Sequence, residues 1–201
     1  MEKCIKRILS VIGIASILGA CILLSKDIYQ QQKLEQIEEQ QIEQFLEMDK
    51  KTNVEEDIQV REDTKREEVY IAVLEIPKIH FKKGLYDINS SKNNVDETVQ
   101  ILKESDFPNI ESGNMILAGH SGIGKSAYFN QLNTLQKGDL IFLYYQGIKY
   151  VYQFSNCYEI EKTGYFEVPK NDETTLILIT CKMNTNMQLV FISKLIHQKT
   201  I

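Results

Sequence analysis

The chain has 201 residues, enough for one ordinary domain with accessory segments, and its 43% hydrophobic and 25% charged content excludes a wholly disordered or collagen-like chain. The net charge of −5 divides unevenly: residues 1–26 sum to +3, residues 27–68 to −8, and residues 69–201 to zero. A neutral folded part has no basic footprint for nucleic acid, and four cysteines without a C-x-x-C pair give neither a disulfide scaffold nor a zinc spacing.

Residues 1–26 read as a cytoplasmic tip and membrane anchor. Ile8–Leu24 is uncharged, and as a helix it is about 26 Å long, at the short end of what spans a bilayer. Lys3, Lys6 and Arg7 precede it, so the positive-inside rule leaves residue 1 in the cytoplasm and exports everything after Lys26. Two rival readings also export the chain. A cleaved secretory signal lacks a clean small-x-small site here. Leu18-Gly19-Ala20-Cys21 resembles a lipoprotein-processing box with Cys21 as lipid acceptor, although Ile22-Leu23-Leu24 prolongs the apolar run.

Residues 27–68 read as an acidic helical stalk and linker, without Gly or Pro. Leu34, Ile37, Ile42, Phe45 and Leu46 form a thin apolar stripe at helical spacing as far as about Met48, compatible with a solvated helix or a short coiled coil. Beyond Asp49 the apolar residues thin out into a spacer.

Residues 69–201 read as the folded domain. Strands are expected at Tyr70–Ile76, ended by Pro77, then at Asn114–Ala118, Leu140–Tyr145, Lys149–Ile160, Thr175–Thr180 and Leu189–Leu195. Gln146-Gly147 suits a hairpin turn. Short helices are expected around Val95–Lys103 and Ser126–Leu132. Strands in succession without intervening helices predict a mostly β fold, an antiparallel barrel or sandwich rather than a parallel sheet.

Gly119–Ser126 matches G-x-x-x-x-G-K-S/T at every fixed position, which suggests a phosphate-binding loop. Such a loop needs a parallel βαβ sheet and an acidic residue ending a second strand, and neither Leu140–Tyr145 nor Leu176–Thr180 ends in one. The other reading starts from His120, at the end of the apolar run Met115–Ala118, and Cys181, at the end of Leu176–Thr180. A thiol becomes a good nucleophile when an imidazole takes its proton, and the same imidazole can protonate a leaving amine. The bland alternative is a buried structural thiol and a polar loop histidine.

Asn114–His120 (NMILAGH) and Thr175–Cys181 (TLILITC) resemble the two signature segments of sortases, membrane-anchored cysteine transpeptidases of Gram-positive cell surfaces. Leu74–Ile79 (LEIPKI) resembles their first-strand motif, and the resemblance covers about residues 69–196. It implies a closed β-barrel of seven to eight strands with short helices. It also implies that Cys181 attacks a peptide carbonyl in an LPXTG-like sorting signal while His120 protonates the departing amine. An amine on a cell-wall precursor or another surface protein then resolves the thioacyl enzyme. Thr180 and Ala118 are implied to shape the substrate pocket, and no cofactor or metal is implied.

One position departs from the family. Sortases carry an arginine at the start of the final strand, where this chain has Gln188. Its only arginines are Arg7, Arg61 and Arg66, all outside the barrel. A Gln amide can donate to an oxyanion but brings no charge. Lys182, Asn184 and Asn186 are further candidates, and a catalytically impaired, peptide-binding barrel is the alternative function. His80 and His197 read as non-catalytic, and Cys157 as a buried thiol. The acids Glu159, Glu161, Glu167, Asp172 and Glu173 read as a solvated loop.

Overall fold

A computed structural model describes residues 2–52, 69–163 and 172–201. The chain forms two compact units, Met1–Gln41 and Ile42–Ile201. The first consists of helix α1 (Glu2–Thr52), whose last turns belong to the second unit. No proline interrupts α1, and Gln, Glu, Lys and Leu in its second half are good helix formers. Ile17, Leu18, Ile22, Leu23 and Leu24 are all exposed on it. Among the described residues no helix is long and apolar enough to cross a membrane. The expected anchor Ile8–Leu24 begins among residues whose side chains lie outside the description, and the spacer beyond Asp49 falls mostly on residues 53–68, also outside it.

The second unit is built on eight strands: β1 (Tyr70–Ile76), β2 (Phe81–Tyr86), β3 (Gln100–Ile101), β4 (Asn114–Ala118), β5 (Leu140–Tyr145), β6 (Ile148–Glu161), β7 (Thr175–Cys181) and β8 (Met187–Thr200). Their order in the sheet is β2-β1-β5-β6-β8-β7-β4-β3. The two edge strands β2 and β3 come back to each other. The Thr98 hydroxyl donates to the Gly84 carbonyl at 3.2 Å across the gap, so the sheet is a nearly closed barrel. Every pair is antiparallel except β4 with β7, which run parallel. That exception qualifies the antiparallel expectation. A parallel pair needs a long crossover, supplied here by the β5–β6 hairpin and its flanking loops.

Both expected short helices are absent. In 95–103 the Asn94 side chain accepts from the Asp96 and Glu97 backbone N–H groups, each at 3.0 Å, and ties the chain into a turn. Val99 and Ile101 are then drawn into the core and β3 forms. In 126–132 the Asn130 amide donates to Gly122 O at 2.9 Å and Ser126 Oγ donates to Asp96 O at 2.7 Å. Side chains bonded to distant backbone in this way compete with a helix, and only a 3-10 turn, Leu132–Thr134, remains. The other 3-10 turn, Pro77–Ile79, follows β1 and is capped by His80 in the left-handed region (φ 51°).

β4 and β7 read as unbroken apolar runs because both their faces are buried. Met115, Leu117, Leu176 and Leu178 point into the main core with Leu74, Leu143, Tyr152 and Phe191. The alternate residues Ile116, Ile177 and Ile179 join Val190 in a second cluster on the opposite face. The expected β5–β6 hairpin forms, with Tyr145 opposite Ile148 and both turn residues, Gln146 and Gly147, at positive φ (48° and 68°). Asp49 in the last turns of α1 accepts the Gly147 N–H, and burial pushes its carboxyl up.

Candidate active site

Parallel pairing of β4 and β7 aligns the two signature segments. Asn114 pairs with Thr175, and the register runs through Ala118 opposite Ile179. His120 and Cys181 each lie two residues beyond that last pair, so both emerge at the same end of the barrel. Three hydrogen bonds extend the alignment past the strands. Gly119 N–H donates to Ile179 O at 3.1 Å, Thr180 Oγ1 donates to Gly119 O at 2.8 Å, and Ser121 Oγ donates to Cys181 O. Gly119 is required by crowding, since a Cβ there would sit 2.8 Å from the buried Phe129 ring.

Gln188, the second residue of β8, lies directly opposite Cys181. Directly opposed residues of an antiparallel pair share a face, with Cβ atoms about 5 Å apart. Gln188 is therefore a cross-strand neighbour of Cys181. Lys182 is engaged elsewhere, its Nζ 2.6 Å from Glu159 Oε1. Asn184 sits at positive φ (58°) in the β7–β8 turn, and Asn186 accepts the Lys162 N–H at 3.0 Å through its backbone carbonyl. Thr180 is buried and its hydroxyl is spent on Gly119, while Ala118 is half-buried at the end of β4.

One residue at the site carried no signal in the sequence. Asp96, in the loop before β3, accepts from His120 Nε2 at 3.1 Å. It lies 24 positions upstream in a polar, irregular segment, with no motif to mark it.

Cys157 and Cys181 are both free thiols. Cys157 pairs with Phe191, three rungs from the Gln188 rung, so the two cysteines are separated by about 10 Å along the strands as well as by two strand spacings, beyond disulfide reach. Cys157 is exposed rather than buried, yet partial desolvation, followed by the negative Glu159, pushes its thiol up. In the acidic region, Glu159 pairs with Lys182 and Glu173 with Lys194, and Glu167 lies outside the described residues.

The Gly119–Ser126 loop does not form a phosphate cradle. Gly122 N–H is already donated to Asn130 Oδ1 at 2.6 Å, no α-helix follows the loop, and the neighbouring parallel strand β7 ends in Cys181 rather than an acid. A phosphate loop relies on backbone N–H groups aimed at the ligand from a helix start, and that arrangement is missing.

Known proteins resemble the chain along most of its length. Residues 74–196 match the model of the sortase domain, well over half of the chain. Sortase A of Staphylococcus aureus (strain NCTC 8325 / PS 47) is 24% identical over 191 residues, covering 90% of this chain and 89% of that protein. Among solved structures, a Clostridium perfringens sortase D5 transpeptidase superposes with a TM-score of 0.60 at 22% identity, over 80% of this chain and 99% of that one. Sortase C of Streptococcus pneumoniae gives 0.59 at 21% identity, over 85% and 96%. With a family model spanning the barrel and both signature segments aligned at one end of it, the chain belongs to the sortase family.

Proposed function

We propose that this sortase-family chain is a cysteine transpeptidase with Cys181 as nucleophile and His120 as general acid and base. The observation that carries the reading is the β4–β7 register, which brings a thiol and an imidazole 61 positions apart to adjoining strand ends. In the first half-reaction His120 takes the Cys181 proton and the sulfur attacks a peptide carbonyl. The C–N bond then breaks as His120 returns the proton to the leaving amine, and a thioester remains. In the second half-reaction a primary amine attacks the thioester, His120 takes its proton, and Cys181 leaves as thiolate. Gln188, opposite Cys181 in β8, donates its amide N–H to the oxyanion of both tetrahedral intermediates. Thr180 and Ala118 shape the floor of the substrate groove.

The substrate class is a surface protein with an LPXTG-like C-terminal sorting signal, and the acceptor is an amine on the cell wall or on another surface protein. The chain acts outside the cytoplasm from a single-pass anchor over Ile8–Leu24. Support for the anchor is the uncharged run itself, the preceding basic residues, and the exposed Ile17, Leu18, Ile22, Leu23 and Leu24, which water would solvate poorly.

A second reading is favoured by one observation, the absence of any arginine from residues 69–201. Without that charge, the barrel could hold sorting-signal peptides and not turn them over. A sorting-signal peptide incubated with the full-length chain and a primary amine separates the two. The enzyme reading expects a transpeptidation product and a thioacyl adduct on the Cys181 tryptic peptide, both lost in Cys181→Ala and His120→Ala and kept in Cys157→Ala. Peptide binding without product in the unmodified chain would establish the binding module instead, and turnover surviving in Cys181→Ala would end the enzyme reading.

A further inference from the structure

The Cys–His pair accounts for bond making and breaking but leaves open what fixes the imidazole. His120 is only partly buried, with 43% of its side chain exposed, and it follows the last residue of β4 by two positions, so packing alone does not hold its ring. Among the described residues, the side chain in hydrogen-bond contact with that ring is the Asp96 carboxylate, 3.1 Å from Nε2.

A carboxylate can only accept, so the nitrogen facing it carries the hydrogen. A neutral imidazole has a single N–H, and with that N–H at Nε2 the lone pair resides on Nδ1. Asp96 therefore selects one tautomer as well as one ring orientation.

The Asp96 backbone is itself held by two side chains. Asn94 Oδ1 accepts its backbone N–H at 3.0 Å, and Ser126 Oγ donates to its carbonyl at 2.7 Å. Next to it, Tyr128 Oη donates to Glu97 O at 3.1 Å, and Thr98 ties the segment to Gly84. Ser126 and Tyr128 belong to the same loop that carries His120, so hydrogen bonds tie the Asp96 turn to the His120 loop. The glycine-rich segment that mimics a phosphate loop has this clasp as its structural role.

The missing arginine gives the arrangement its consequence. With Lys182 engaged by Glu159 and no guanidinium in the barrel, the positive charge that accompanies the thiolate is the imidazolium formed when Cys181 loses its proton. A fixed carboxylate on the far nitrogen faces that charge as it develops.

We propose that Asp96 is the positioning residue for His120, holding it as the Nε2–H tautomer so that Nδ1 exchanges protons with Cys181 and with the leaving and incoming amines. This rests on the transpeptidase reading for its kinetic part and on geometry alone for its tautomer part.

The test uses the full-length chain in detergent, as Asp96→Ala and Asp96→Glu variants. Because the Asp96 side chain is 87% exposed, an ion pair there adds little to stability, and both variants are expected to melt with the unmodified chain. Asp96→Ala is expected to lower kcat for the sorting-signal peptide by about tenfold, a fraction of what general acid–base catalysis supplies, with KM within about twofold. Asp96→Glu should recover most of the loss. Selective 15N labelling of the histidines, with His120→Gln to assign the signal, reads the tautomer directly. The neutral ring is expected to show a protonated Nε2 and an unprotonated Nδ1, with mixed tautomers in Asp96→Ala. Unchanged kcat in Asp96→Ala, or a neutral ring protonated on Nδ1 in the unmodified chain, would overturn the proposal. If the unmodified chain turns over no peptide, the transpeptidase reading falls by itself. The ring spectrum then still decides on Asp96: an Nε2–H signal lost in Asp96→Ala sustains it, and one that is not lost refutes it.

Discussion

Replacing Gln188 tests how this barrel works without the family's arginine. Gln188 faces Cys181 across one antiparallel rung with the two Cβ atoms about 5 Å apart, and the proposed oxyanion is taken at a similar distance from the end of a residue-188 side chain that folds toward it. In Gln188→Arg a full positive charge at that distance interacts with a full negative charge by about 0.8 kcal/mol in water and about 3 kcal/mol at the effective dielectric of a protein surface. Gln188 is half-buried, which sets the expectation between these limits. The corresponding gain in kcat/KM is between about fourfold and about 150-fold. In Gln188→Ala the amide donor is removed, and a loss of more than about threefold, or about 0.6 kcal/mol of barrier, is expected. Steady-state kinetics on a sorting-signal peptide with excess amine reads both values. A change below threefold in Gln188→Ala together with no gain in Gln188→Arg would show that the β8 rung does not reach the transition state, and would refute the oxyanion role.

Thr180→Val keeps the shape of a buried side chain and deletes its bond to Gly119 O. A loss of about 1–3 kcal/mol in denaturant unfolding is expected, with a fall in kcat because Gly119 precedes His120. Unchanged stability and rate would mean that the Thr180–Gly119 bond is idle. Lys125→Ala should leave turnover intact, since Lys125 is an exposed loop residue, and a loss of activity accompanied by nucleotide binding would revive the phosphate-loop reading. Burial and the Glu159 carboxylate push the Cys157 thiol up, so less of it is thiolate at a given pH. Iodoacetamide labelling of Cys157 in Cys181→Ala should therefore stay slow at pH 8 and accelerate only at higher pH, with Glu159→Gln shifting that rise downward. Fast labelling at pH 7 would contradict the assignment.

Much of this protein is written locally. The apolar runs at Met115–Ala118 and Leu176–Thr180 mark strands buried on both faces. Pro77 marks the end of β1, and Gln146-Gly147 marks the β5–β6 turn. Cys181 and His120 stand out because each ends such a run inside a family signature. Local reading failed where long-range bonds outweigh local preference: at 95–103, where Val99 and Ile101 are pulled into the core, and at 126–132, where Ser126 and Asn130 bond away from any helix. β2 and β3 escaped notice because Lys82, Lys83 and Gly84 break the alternation of one and the other has only two residues.

From its sequence alone the chain declares a mostly β domain, a sulfur and an imidazole in signature contexts, and a missing arginine, because strand pattern and residue identity are local properties. Folding alone decides that β4 and β7 run parallel and in register, that Gln188 faces Cys181, and that Asp96 meets His120. Those relations depend on which strands pair and how the sheet closes, and that is set by burying the whole apolar surface at once.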